Sequence, residues 1–151
     1  TALVLTRQGV THQPREAEQL ANIRRGGYVL RDFGPQPKAV LIATGSEVEL
    51  AMEAAGELAG KNFPVRVVSM PNPGRFLAQE ETYRHQILPD EITARVAIEA
   101  GVRHYWHPFV GARGRIVGID TFGASAPAAE LLRAFGLTVE NVCDVVRETL
   151  G

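Results

Sequence analysis

The feature that most restricts this chain is the run at residues 39–44, Ala-Val-Leu-Ile-Ala-Thr, which stays apolar until Thr44. A strand with one face in water alternates apolar and polar residues, whereas a strand without alternation has both faces covered. Gly45 breaks the run. From Ser46 to Gly60 apolar residues then recur at Val48, Leu50, Ala51, Ala54, Ala55 and Leu58, the spacing of one helix face. Residues 65–70, Val-Arg-Val-Val-Ser-Met, predict a second strand. A strand–helix–strand unit of this kind joins parallel strands through a right-handed crossover. The fold class that follows is α/β, a three-layer α/β/α sandwich whose mostly parallel, mixed sheet has about five strands.

The remaining elements are arranged around that unit. Residues 2–6 are expected to form a strand and 8–13 a loop. Pro14 suits the first turn of a helix that runs to Ile23 and ends at Gly26-Gly27. Tyr28 to Arg31 is short and flanked by charge, which marks it as an edge or antiparallel strand. Residues 75–87 predict a helix, 93–98 and 115–119 two strands, and 105–110 a short helix. Residues 125–135 and 138–150 predict two closing helices. A boundary is expected near residues 21–27, where a leading segment gives way to the main domain.

Composition removes several classes of function. The net charge is −1, so there is no general attraction to nucleic acid or to an anionic membrane. The apolar stretches are too short to span a bilayer. Thr6, Arg7 and Gln8 stand where a secretory leader would be apolar, and neither a leader nor a membrane anchor is expected. Cys143 is the single cysteine, which excludes an internal disulfide and fits a reducing cytoplasm. The missing initiating Met and the abrupt strand-like opening fit a fragment of a longer polypeptide.

Few residues carry chemistry by themselves. Thr44-Gly-Ser-Glu47 lies between a strand and a helix, where free amides can hold phosphate. Ser46 with Glu49 also reads as a capping box, which would occupy those amides. Ser125 and Thr138 are expected caps, with Leu137 and Val142 as a hydrophobic staple. His104 and His107 are three apart and could share a metal, but no third ligand is near, and the aromatic stretch around them suits packing or a subunit contact. His12 and His85 are isolated, and Cys143 sits among valines as a small core residue. Arg7 closes a strand, at the edge where open α/β sheets bind ligands, and a guanidinium grips phosphate in bidentate fashion. A surface ion pair is the other reading of Arg7. No phosphate loop, dinucleotide fingerprint or nucleophile–histidine arrangement is present.

Several stretches, in order and over essentially the whole chain, resemble the C-terminal part of transketolases. They are Leu5-Thr-Arg-Gln8, Glu18-Gln-Leu-Ala-Asn-Ile23 with Gly26-Gly-Tyr-Val-Leu30, and Ile42-Ala-Thr-Gly-Ser-Glu-Val-Glu-Leu50. Val65-Arg-Val-Val-Ser-Met-Pro71, Ala94-Arg-Val-Ala-Ile-Glu-Ala-Gly101 and Gly118-Ile-Asp-Thr-Phe-Gly-Ala-Ser-Ala-Pro127 follow. The resemblance implies a homodimeric, cytoplasmic parent that moves a two-carbon ketol unit between sugar phosphates. Its cofactors would be thiamine diphosphate and a divalent metal, magnesium or calcium. Residues 1–22 would be the tail of the pyrimidine-binding domain with its linker, and 23–151 the C-terminal domain.

The resemblance assigns one functional residue: Arg7 matches an arginine that contacts the substrate phosphate. Thr6 replaces the family's serine, and Gly9-Val10 stands where Asn-Leu is common. The family's Gly-Asp-Gly motif for metal and diphosphate, its activating glutamate and its substrate-binding histidines have no counterpart here. The chain alone is therefore expected to bind no cofactor and to be inactive, serving as scaffold and dimer contact for the remaining domains. Deoxyxylulose-phosphate synthase and 2-oxo-acid dehydrogenase beta subunits share such a domain and are the enzyme alternatives. A regulatory or interaction module is the non-catalytic one, with residues 105–109 as a contact surface or an effector bound near Gly45-Ser46.

Overall fold

The computed structural model describes residues 9–150. The strand expected at 2–6, and Arg7 after it, lie outside the described residues. One sheet holds β1 (Tyr28–Phe33), β2 (Ala39–Ala43), β3 (Val65–Ser69), β4 (Arg95–Ile98) and β5 (Arg115–Val117), in the order β1-β3-β2-β4-β5. The helices are α1 (Ala17–Asn22), α2 (Glu47–Gly60), α3 (Pro73–Leu77), α4 (Glu81–Ile87), α5 (His107–Val110), α6 (Ala128–Ala134) and α7 (Val139–Glu148).

β2 is the centre of the sheet, parallel to β3 on one side and to β4 on the other, and every residue in it has 0% exposure. The reason is its two covered faces. Ala39, Leu41 and Ala43 share a core with Val48, Ala51, Ala54, Ala55 and Leu58 of α2 and with Val142, Cys143 and Val146 of α7. Val40 and Ile42 share the opposite core with Phe76 of α3, Tyr83 and Ile87 of α4, Trp106, and Phe109 of α5. The three layers expected from the unbroken apolar run are thus present. From β2 the chain crosses through α2 to β3, then through α3 and α4 on the other face to β4. Reversing both direction and face is what a constant crossover hand requires.

β1 is the expected antiparallel edge strand, and its register on β3 shifts between Val29 and Arg31. Such an irregularity leaves backbone groups without their ladder partners. The Gln19 side-chain amide of α1 donates to the carbonyls of Val29 (3.0 Å) and Leu30 (2.6 Å) there. Gly26 ends the helical segment with φ +92°, and a Cβ at that position would lie 2.4 Å from the Asn72 carbonyl oxygen. Only glycine suits a left-handed residue in so close an approach.

Four expectations change. The single helix at 75–87 is two, because Gln79 turns its amide back onto the Arg75 carbonyl (3.0 Å) and closes α3. The break lets Phe76 and Tyr83 both enter the core, with ring centroids 6.2 Å apart. Ser125 does not cap a helix: α6 begins at Ala128, because Pro127 disfavours helical backbone in the residue before it. Ser46 and Glu49 do not form a capping box. Residues 105–109 are not a contact surface as a block, since Trp106 and Phe109 are 1% and 2% exposed, while Tyr105, His107 and Pro108 are open. The Trp106 indole N–H donates to the Glu99 carboxylate. Thr138, in contrast, does cap α7 by accepting from the Asn141 N–H (3.3 Å), with Leu137 and Val142 buried beneath it.

Two outcomes follow from this packing. Trp106→Ala removes a fully buried aromatic, so it should cost about 3–5 kcal/mol in denaturant unfolding. Elution of the folded variant on size exclusion should not change. The Cys143 thiol is buried on α7 against the Ala54 carbonyl, and desolvation pushes its pKa above the ordinary 9.0. The native state then holds the proton more tightly than the unfolded chain. The resulting stability is intact below the ordinary thiol pKa and is lost as pH rises through the raised native one. Cys143→Ala should therefore lose less stability than the parent between about pH 8 and about pH 10, measured by urea midpoints.

Candidate functional site

Parallel strands end on a common edge, and a ligand crevice opens where successive crossovers leave in opposite directions. In this sheet that point lies between β2 and β4, beyond Ala43 and Ile98. Thr44-Gly-Ser46 follows β2, and Gly45 adopts φ +56° to turn the chain into α2. Three contiguous depressions meet at Ser46. One, of about 310 Å³, lies between the first turns of α2 and the start of α7 and is bordered by Gly9, Val10, Glu47, Glu49 and Glu53. The second, about 180 Å³, is bordered by Thr11, His12, Arg15 and Glu49. The third, about 250 Å³, lies against Ala100, Ile119 and the apolar side of α6.

The hydrogen bonds at this edge differ from those expected of a phosphate site. The Ser46 hydroxyl donates to the Glu47 carboxylate (2.8 Å), not to a helix terminus. Glu49 turns away from its helix and accepts from the backbone N–H of Thr11 (3.3 Å) and from the Thr11 hydroxyl. Glu47, Glu49 and Glu53 together surround the first turns of α2 with negative charge. The helix dipole welcomes acidic side chains there, but those side chains oppose a bound anion. The occupant of the edge is the protein's own incoming segment, residues 9–13.

That segment is held again further along. Arg15 donates to the Tyr28 hydroxyl (2.6 Å) and to the Gln13 backbone carbonyl (2.6 Å), and the Gln19 side-chain oxygen accepts from the Glu16 N–H (2.8 Å). The Thr11–Glu49 contact, 38 residues apart in sequence, carries no local signal. The spacing Ser46-x-x-Glu49 pointed to a cap because both residues have the right chemistry for one.

Thr138 and Leu137 border the first depression and His12 the second, and the remaining singled-out residues among those described do not converge on this edge. His104 and His107 meet edge to face at 5.7 Å between centroids, and no group of three metal-binding side chains exists among the described residues. His85 is exposed beside Asp90 (3.4 Å) and Glu91 (3.5 Å). Cys143 is buried in the core. Arg7, the one substrate-binding candidate, is outside the described residues. Gly9 and Val10, two and three residues further on, border the depression of about 310 Å³.

Comparison with known proteins agrees with this architecture. Residues 26–138 match the family described as the transketolase-like TK C-terminal domain. Transketolase 2 of Aliivibrio fischeri is 52% identical over 151 residues, all of this chain and 23% of that protein. Among solved structures, transketolase from Leishmania mexicana superposes with a TM-score of 0.79 at 42% identity, over 86% of this chain and 18% of that one. A Pichia stipitis transketolase in complex with sedoheptulose-7-phosphate gives a TM-score of 0.78 at 30% identity, over 87% and 19%. The chain thus spans about a quarter of the length of the curated relatives it matches, and it belongs to the transketolase family as a C-terminal domain.

Proposed function

We propose that this chain is the non-reacting portion of a cytoplasmic transketolase, a homodimer whose whole polypeptide transfers a two-carbon ketol unit between sugar phosphates. Residues 1–22 belong to the end of the preceding domain and its linker, and 23–151 form the C-terminal domain. In support of that division, α1 buries none of its residues, while the core begins at Tyr28. Val102 (62% exposed), Tyr105 (55%) and Phe122 (99%) lie on adjoining segments joined by the Arg103 N–H to Asp120 bond (3.0 Å). They are the apolar surface that the remaining domains or the second subunit cover.

The observation that carries the proposal is the charge of the strand-end crevice. Thiamine diphosphate and its divalent metal, magnesium or calcium, are the cofactors of the parent. The diphosphate does not fit the described residues, because Glu47, Glu49 and Glu53 line the α2 terminus and the nearby Arg15 is committed to the Tyr28 hydroxyl and the Gln13 carbonyl. The Gly-Asp-Gly motif and activating glutamate are likewise absent from the sequence. This chain's share of the reaction is the scaffold and one guanidinium, Arg7, for the substrate's phosphate. No helix of the described residues is long and apolar enough to cross a membrane, and the net charge of −1 gives no pull on nucleic acid.

Calorimetric titration of thiamine diphosphate with magnesium into the isolated chain tests this. No heat of binding is expected at micromolar ligand, and saturation in that range would overturn the assignment.

A further inference from the structure

We propose that the depression bordered by α3, α4 and α5 is a binding site for a small apolar monocarboxylate, with Arg84 as the group that takes the carboxylate. The cavity, of about 170 Å³, lies on the sheet face opposite α2, and buried Phe76, Leu88 and Phe109 supply its apolar wall. Leu77, which ends α3, and Glu81, which begins α4, both border it, so it opens beside the break between those helices.

Arg84 is the reason for reading this depression as a site. A half-buried guanidinium ordinarily meets a carboxylate or gathers carbonyls, as Arg66 and Arg95 do in this fold. Among the described residues no carboxylate stands at ion-pair distance from Arg84. Its Nε–H is closed off from water and meets no acceptor. A buried donor left unmet is costly, and turning the guanidinium toward an acceptor in the cavity relieves that cost. A carboxylate approached side-on accepts from Nε and one terminal nitrogen together.

Charge and shape narrow the ligand. Arg95 is committed to the carbonyls of Ile92, Leu88, Pro89 and Phe109, which also fixes two wall residues before a ligand enters. Asp90 lies against Arg95 (3.5 Å) and His85 (3.4 Å). Arg84 therefore offers one uncommitted positive charge, and Glu81 on the rim opposes a second negative charge on the ligand. The walls call for an apolar body, and a cavity of about 150 Å³ is room enough for benzene. One ring or one branched aliphatic group fills the space.

The test is an NMR titration of the isotope-labelled chain with sodium benzoate, benzamide and inorganic phosphate. Benzoate should give saturable shifts at the Leu77, Arg84 and Leu88 amides, with a Kd of about 1 mM. Benzamide keeps the shape without the charge and should bind about tenfold more weakly, as should phosphate, which lacks the ring. Arg84→Gln should weaken benzoate by about tenfold and leave the urea midpoint unchanged, because no partner is lost. No saturable shift around Arg84, or benzamide binding as tightly as benzoate, overturns the site. Phosphate binding as tightly as benzoate overturns the ligand class, and full affinity in folded Arg84→Gln overturns the role of Arg84. If that variant does not fold, the comparison of benzoate with benzamide on the unaltered chain still decides.

Discussion

The double-sided burial of β2 is the constraint from which the other features follow. A strand with no exposed residue cannot lie at an edge or face water, so it needs parallel neighbours and a helix layer on each side. The small residues of α2, Ala51, Ala54 and Ala55, let that helix sit close to the sheet while α7 packs beside it. The opposite layer is built differently, from short helices contributing Phe76, Tyr83, Trp106 and Phe109. Bulky aromatics fill the distance that a long helix fills on the other side. Because the first crossover leaves β2 for β3 and the second passes over β2 to reach β4, the crevice lies at the C-terminal end of β2.

Much of this was legible because period and burial are properties of neighbouring residues. The unbroken run at 39–44 and the helical spacing after it predicted the layers, and the charge-flanked Tyr28 strand predicted the antiparallel edge. The Thr138 cap was legible too, since a cap and its staple lie within five residues. Ser46 and Glu49 misled because they satisfy the same local rule, while the partner that takes Glu49 lies 38 residues away. Trp106 misled for a related reason. An aromatic cluster has the same composition whether it faces a partner or its own core, and only the placement of Glu99 beside the indole N–H decides between them. The strand and phosphate arm at 2–7 rest on the sequence alone.

The cationic residues show why a neutral net charge misses local intent. Arg95, at the start of β4, donates to the carbonyls of Ile92, Phe109, Leu88 and Pro89, and so ties three loop ends together far from the crevice. Arg66 pairs in bidentate fashion with Asp32 across the antiparallel register (2.8 and 2.9 Å) and reaches the Gln86 carbonyl (2.8 Å). Arg103 closes on the Gly118 carbonyl (3.2 Å). A guanidinium offers five donors in a plane, which suits it to gathering carbonyls that no strand or helix serves. These three arginines hold the architecture together and are committed before any ligand arrives.

The crevice therefore presents an inverted electrostatic arrangement for its fold class. Open α/β sheets commonly gather an anion on helix N-termini at the strand-end edge, where amides and dipole act together. Here Glu47, Glu49 and Glu53 take up that positive end, and the bound object is a polypeptide segment presenting an N–H and a hydroxyl. A carboxylate that holds a donor on the protein's own backbone gives orientation without competing for a phosphate. Any grip on an anion at this edge must then come from a cation delivered by the segment itself. Arg15, which that segment brings beside Glu49, is already committed to the Tyr28 hydroxyl and the Gln13 carbonyl, and Arg7 remains the residue we propose for the role.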